Sequence, residues 1–123
     1  MLEAYSLNVV VGAESAVPFN NVSIKKGCTA ELVSPSTINL NKCGVYMVAV
    51  DASAATSETI TLYKNGVAQP QAQSTGSSPS FTTLVQVTEN NSCCPCSSPT
   101  AITVVSTSDA TFTDINIVVT KVI

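Results

Sequence analysis

Apolar residues recur along this chain in short runs, and most runs alternate with polar positions at a period of two. "SLNVVV" (6–11), "VSIKK" (22–26) and "TINLN" (37–41) are separated by Gly12, Pro18, Gly27 and Pro35. In "ETITLYK" (58–64), Ile60 and Leu62 alternate with Thr59 and Thr61, and Asn65-Gly66 follows. Asn-Gly between two such runs predicts a hairpin, because a type I′ turn needs positive φ at both central residues. "VAQPQAQ" (67–73) then returns antiparallel, with Pro70 confining it to a sheet edge or ending it early. "STGSSPS" (74–80) reads as a flexible loop by its composition. "FTTLVQVT" (81–88) sets Phe81, Val85 and Val87 against Thr82, Gln86 and Thr88. "AITVVS" (101–106) and "DINIVVTKVI" (114–123) close the sequence. No window carries a capped helical stripe. The pattern predicts an all-β sandwich of about eight to ten short strands.

Two runs depart from simple alternation. "GVYMVAV" (44–50) places Val45 and Met47 on one face and Tyr46, Val48 and Val50 on the other. A strand with one face in water should alternate, so the second apolar face predicts a cover, either another subunit or a loop of the same chain. The last run ends on Val122 and Ile123, which predicts a strand tucked inside a sheet.

Composition narrows the function classes. The 123 residues suit one domain, 1–123, with a core built from Val, Ile, Leu and Ala and no Trp. Five Lys, no Arg and eight carboxylates give a net charge of −3, which supplies neither the basic patch nor the Arg forks of a nucleic-acid surface. The absence of His excludes Ser-His-Asp and Cys-His catalysis and any imidazole zinc site. "MLEAYSLNVVVGAESA" lacks the positive start of a signal peptide, and no apolar run is long enough to cross a membrane, so synthesis and assembly in the cytoplasm are expected. Phosphate-loop, nucleophile-elbow and calcium-loop motifs are absent. No catalytic, cofactor-binding or metal-binding residue is assigned, and no cofactor is expected.

The cysteines are the one candidate for chemistry. Cys93, Cys94 and Cys96 lie within "NNSCCPCSSPT" (90–100), and Cys28 and Cys43 are isolated, with fourteen residues between them. Cys93-x-x-Cys96 with Cys28 and Cys43 could supply four thiolates to zinc, but strong zinc motifs pair two such knuckles, and Cys94 would be an unused thiol. Thioredoxin-type redox chemistry needs a helix after the Cys-x-x-Cys, and here Pro99 and "AITVV" follow. Disulfides remain open, with one thiol left over from an odd count and bond formation only after release from a reducing cytosol. The fourth reading is a loop tip beside a subunit contact.

At "LNKCGVYMVAVDAS…ETITLYKNGV" the sequence resembles the jelly-roll trimers of the tumour necrosis factor and complement globular-head type, with Gly44 and Tyr46 at its Gly-x-Tyr and Leu62 to Gly66 at the following hairpin. The tip domains of bacterial exosporium collagen-like glycoproteins share this pattern. Their Gly-Asp turn is missing here, the cysteine stretch occupies its place, and no Gly-X-Y stalk is present. Across 15–122, "SAVPFNNV", "KGCT", "LNKCGVYMV", "QAQ", "SFTTLVQV", "CCPCSSPT" and "VVTKV" resemble phage head-fibre and capsid-decoration proteins.

The resemblance implies a TNF-like jelly-roll homotrimer on the outer surface of a virion. It would act without enzymatic activity and would partner the major capsid protein or another virion protein. A host-surface glycan or protein is a further partner of that reading, and nucleic acid and membrane are not. Residues 1–20 form either the first strand or a capsid-attachment segment. The alternatives are the trimeric tip of a spore or cell-surface glycoprotein, and a metal- or thiol-dependent enzyme.

Overall fold

A computed structural model describes residues 1–27, 29–87 and 100–123. Among these residues eleven strands are formed: β1 (Leu2–Val11), β2 (Ser15–Ala16), β3 (Asn21–Lys25), β4 (Ala30–Ser34), β5 (Thr37–Leu40), β6 (Gly44–Ala54), β7 (Glu58–Lys64), β8 (Val67–Gly76), β9 (Ser80–Val87), β10 (Thr100–Ser106) and β11 (Ala110–Lys121). They make two antiparallel sheets, of order β3-β1-β11-β6-β9 and β4-β5-β10-β7-β8, with β2 on β10. This is a jelly-roll sandwich. The period-two pattern sends one residue set between the sheets, and Tyr46, Phe19, Phe112, Leu2, Ile60, Leu62, Ile102 and Ile117 are fully buried there.

The hairpin signal at Asn65-Gly66 holds. Both residues have positive φ, 52° and 80°, and Lys64 faces Val67 across the turn. Asn65 also ties the turn to β10, donating its N–H to the Ala101 carbonyl at 2.8 Å while its Oδ1 accepts from Ala101 N at 2.9 Å. β8 is an edge strand, as Pro70 requires. Thr61 faces Gln73 but Tyr63 faces Ala68, so the residues around Pro70 bulge out of the ladder. The predicted loop at 74–80 is shorter than its composition suggests. Ser74 and Thr75 pair with Ile60 and Thr59, leaving 77–79 between β8 and β9.

The first predicted run is longer than its pattern suggests, β1 beginning at Leu2, four residues before the alternation, and the short β2 and β4, the latter at "AELVS", were not apparent in the pattern. Residues 2–11 are therefore a central strand, with Leu2 and Ala4 wholly buried between β3 and β11. β11 is central too, although Val122 and Ile123 beyond it are exposed. At Asn8, φ of 51° turns β1 over, so that Leu2, Ala4 and Ser6 point inward before it and Val9 and Val11 after it. Asn tolerates this left-handed conformation better than most residues.

Two clips close the sandwich. Buried Ser6 donates its hydroxyl to the Pro18 carbonyl at 2.6 Å and accepts from Asn20 N at 2.8 Å, fixing the crossing from β2 to β3. Tyr46 carries its hydroxyl to the Lys42 carbonyl at 2.8 Å and the Thr29 carbonyl at 3.2 Å, and accepts from Lys42 N at 3.2 Å. It binds the β3–β4 and β5–β6 connections to the start of β6. Gly44, two residues earlier, has φ of 145°, and a Cβ there would collide with the Ile123 carbonyl oxygen and the Lys121 side chain. The Gly-x-Tyr pair is thus a close approach followed by a clip.

Candidate functional site

The two outward sheet faces differ in chemistry. On the six-stranded sheet the exposed or partly exposed outward positions include Glu31, Asn39, Thr59, Tyr63, Gln73, Thr75 and Thr103, a mostly polar surface. Thr59 and Thr75 share a hydroxyl–hydroxyl bond of 2.6 Å across β7 and β8. Water solvates such a face without penalty.

The outward face of the five-stranded sheet is apolar at its centre. On β6, Tyr46, Val48 and Val50 are fully buried, while Val45, Met47 and Ala49 point outward and are partly exposed. Register gathers neighbours around them: Met47 faces Leu84 on β9, and Ala49 faces Val118 on β11. Leu84 is 61% exposed. Tyr5, on β1, extends the surface opposite Asn116. The sequence-predicted second face of β6 is therefore present, and no loop of the described residues covers Leu84. Leu84 itself signals the face in retrospect, since it stands among Thr82 and Gln86 on the polar side of β9.

Beside this patch a groove of roughly 330 Å³ is lined by Glu3, Tyr5, Ser23, Asp114, Ile115 and Asn116. Ser23 donates to Glu3 Oε1 at 2.7 Å, and Asn116 Nδ2 donates to Glu3 Oε2 at 3.4 Å. Asn116 Oδ1 is buried and has no partner among the described residues. A buried carbonyl without a donor is costly, and a surface laid over this face could supply one.

Cys43 is buried and disulfide-bonded, so it cannot also serve as a thiolate in the four-cysteine zinc reading. Cys28, Cys93, Cys94 and Cys96 lie outside the described residues. Among the described residues no group of three or more His, Cys, Asp or Glu is placed to hold a metal ion, and no helix is long and apolar enough to cross a membrane.

No family model and no curated protein matches the sequence. Solved structures do match the fold. The globular domain of zebrafish complement 1qA superposes with a TM-score of 0.76 at 8% identity, covering 99% of this chain and 96% of that one. The PRD1 vertex protein P5 gives 0.69 at 11% identity, with 99% and 96% covered. Murine APRIL gives 0.65 at 12% identity, with 98% of each chain covered. At these identities the likeness is one of fold. The chain is a TNF-like, complement-head-like jelly roll, an architecture it shares with a phage vertex protein.

Proposed function

We propose that the protein is a non-enzymatic virion structural protein. In this reading it is a homotrimer that decorates the outer surface of a phage head, as a head fibre or auxiliary capsid protein beside the major capsid protein. The observation that carries the self-association is the asymmetry of the two sheets, because only the five-stranded one is apolar on both faces. Closed symmetry would bury Met47, Leu84 and Val118 and cover the orphaned Asn116 carbonyl. The virion location is supported by the sequence resemblance over 15–122 and by the fold shared with the PRD1 vertex protein.

Light scattering coupled to gel filtration at micromolar concentration tests the assembly. A trimer mass is expected for the wild type and a folded monomer for Leu84→Glu, which places a charge in the contact. A monomeric wild type overturns the reading. Co-sedimentation with purified particles tests the location, and protein found at the tail tip or inside the shell overturns decoration. Deleting residues 1–20 is not a usable attachment test, since it would remove the central strand β1.

A further inference from the structure

The two sheets end on β3 and β9 and on β4 and β8. An edge strand presents unpaired main-chain groups, and folded proteins blunt it with a bulge, a proline, a charge or a short length. Three of these edges are blunted in that way. β8 contains Pro70, and its ladder shifts between Thr61 and Tyr63 of β7. β4 has five residues, Glu31 among them, and a shift between Leu32 and Ser34. β3 has five residues and Lys25, and its ladder shifts between Glu3 and Ala4 of β1. β9 has none of these features. "SFTTLVQV" carries no proline and no charge, and it pairs with β6 from Ser80 to Val87 without a shift.

Register fixes which main-chain groups of β9 point to its free edge. Val45 donates its N–H to the Ile123 carbonyl and its own carbonyl accepts from Val122 N, so it bonds on the side of β6 away from β9. Gln86 lies opposite Val45 and is therefore a non-hydrogen-bonded position, which turns its N–H and C=O outward from the sheet. Two contacts agree. Lys64 Nζ donates to the Gln86 carbonyl at 2.7 Å, and Ser80 N, at the other end of the strand, donates to Ser74 Oγ at 3.2 Å. Thr82 and Leu84 lie between them at the same period of two. Their N–H and C=O groups meet no partner among the described residues.

The side chains of these residues stand on the outward face. Leu84 is exposed opposite Met47, so a strand added here would continue the apolar patch. Below the edge the facing sheet is already present, since Lys64 of β7 and Ser74 of β8 reach it. A second copy laid edge to edge would bring its own β7 and β8 against them. A single extended segment brings nothing below.

We propose that the edge at Thr82 and Leu84 is a strand-addition site, which takes an extended segment of another protein as a sixth strand of the five-stranded sheet. Main-chain bonds supply the affinity. The segment alternates, with apolar residues on the Leu84 side and no charge where it pairs, because β9 offers none to match. The inference goes beyond the self-association reading, which concerns the face of this sheet and not its edge.

Amide hydrogen exchange by NMR on the full chain tests it, with acetyl-Lys-Thr-Val-Thr-Val-Thr-Lys-amide as the probe. In the free protein the Thr82 and Leu84 amides should exchange rapidly, while those of Thr83 and Val85, which face β6, are protected. Saturating probe should slow Thr82 and Leu84 by about tenfold or more and leave β3, β4 and β8 unchanged. The same peptide with both valines N-methylated lacks the donors that would face β9 and should protect neither residue. Thr82→Pro removes one donor from the edge while keeping Met47, Leu84 and Val118, and it should abolish the protection at Leu84. If that variant does not fold, the N-methylated probe decides. The proposal is overturned if Thr82 and Leu84 are already protected in the free chain, if the probe protects another edge or none, or if the N-methylated probe protects equally. A monomeric wild type that still gains protection overturns self-association alone, and a trimer that gains none overturns strand addition alone.

Discussion

Tyr46→Phe isolates the clip at the start of β6. The ring is fully buried in the core and phenylalanine preserves it, so no cavity opens and only the hydroxyl is lost. That hydroxyl accepts from Lys42 N and reaches the Lys42 and Thr29 carbonyls. Its removal orphans the Lys42 N–H, worth about 1–3 kcal/mol where the group is part-buried, and takes a donor from the carbonyls, worth about 0.5–1.5 kcal/mol. A loss of about 2–3 kcal/mol follows, which in a domain of this size lowers the melting temperature by roughly 8–12 °C. Urea unfolding followed by circular dichroism measures it, at one fixed protomer concentration because an oligomer's stability depends on concentration. The denaturant slope should stay constant while the midpoint falls. A loss below about 0.5 kcal/mol would refute the clip, since that is the least a single net hydrogen bond contributes.

Gly44→Ala should cost more than about 2 kcal/mol, because φ of 145° and the Ile123 carbonyl both oppose a Cβ. Hydrogen exchange at Val45, whose N–H is donated to Ile123 at 3.2 Å, reports it directly and should accelerate. Ser6→Ala breaks both bonds of the other clip and should cost about 2 kcal/mol by denaturation, with proteolysis first appearing in 17–20. Cys43→Ser should lower stability by about 2–4 kcal/mol under oxidising conditions, and a reductant added to the wild type should reproduce the loss.

The parts of this fold legible in the sequence are those governed by neighbours in the chain. Asn65-Gly66 announces its turn because positive φ is a local demand, and Pro70 announces an edge because it lacks a donor. The two apolar faces of β6 are visible for the same reason, since alternation fails within one strand. β1 was harder to see. Glu3 and Tyr5 point outward and make "LEAY" resemble a polar terminus, although Leu2 and Ala4 are core residues. Short "AELVS" hides in the same way, its exposed Glu31 and Val33 masking the buried Ala30. The apolar patch of the five-stranded sheet needs partners from three strands, and only register reveals that Leu84 meets Met47 while Val118 meets Ala49.

The pairing of β1 with β11 sets the order in which this protein can fold. Leu2 meets Val119, so nearly the whole chain must be present before the centre of the five-stranded sheet can close. Hairpins such as β7–β8 need only their own residues and can form while synthesis continues. β1 has β3 available early, but its other edge waits for the final strand, and a strand waiting with an open edge can pair with a neighbour's. Contacts of such long sequence separation also make closure slow, in the millisecond-to-second range typical of all-β domains. A cell making many copies at once would therefore hold a population of nearly complete chains, each with the central position of its sheet unfilled. The yield of native protein should be governed by how quickly each chain supplies its own last strand before another chain's takes that place.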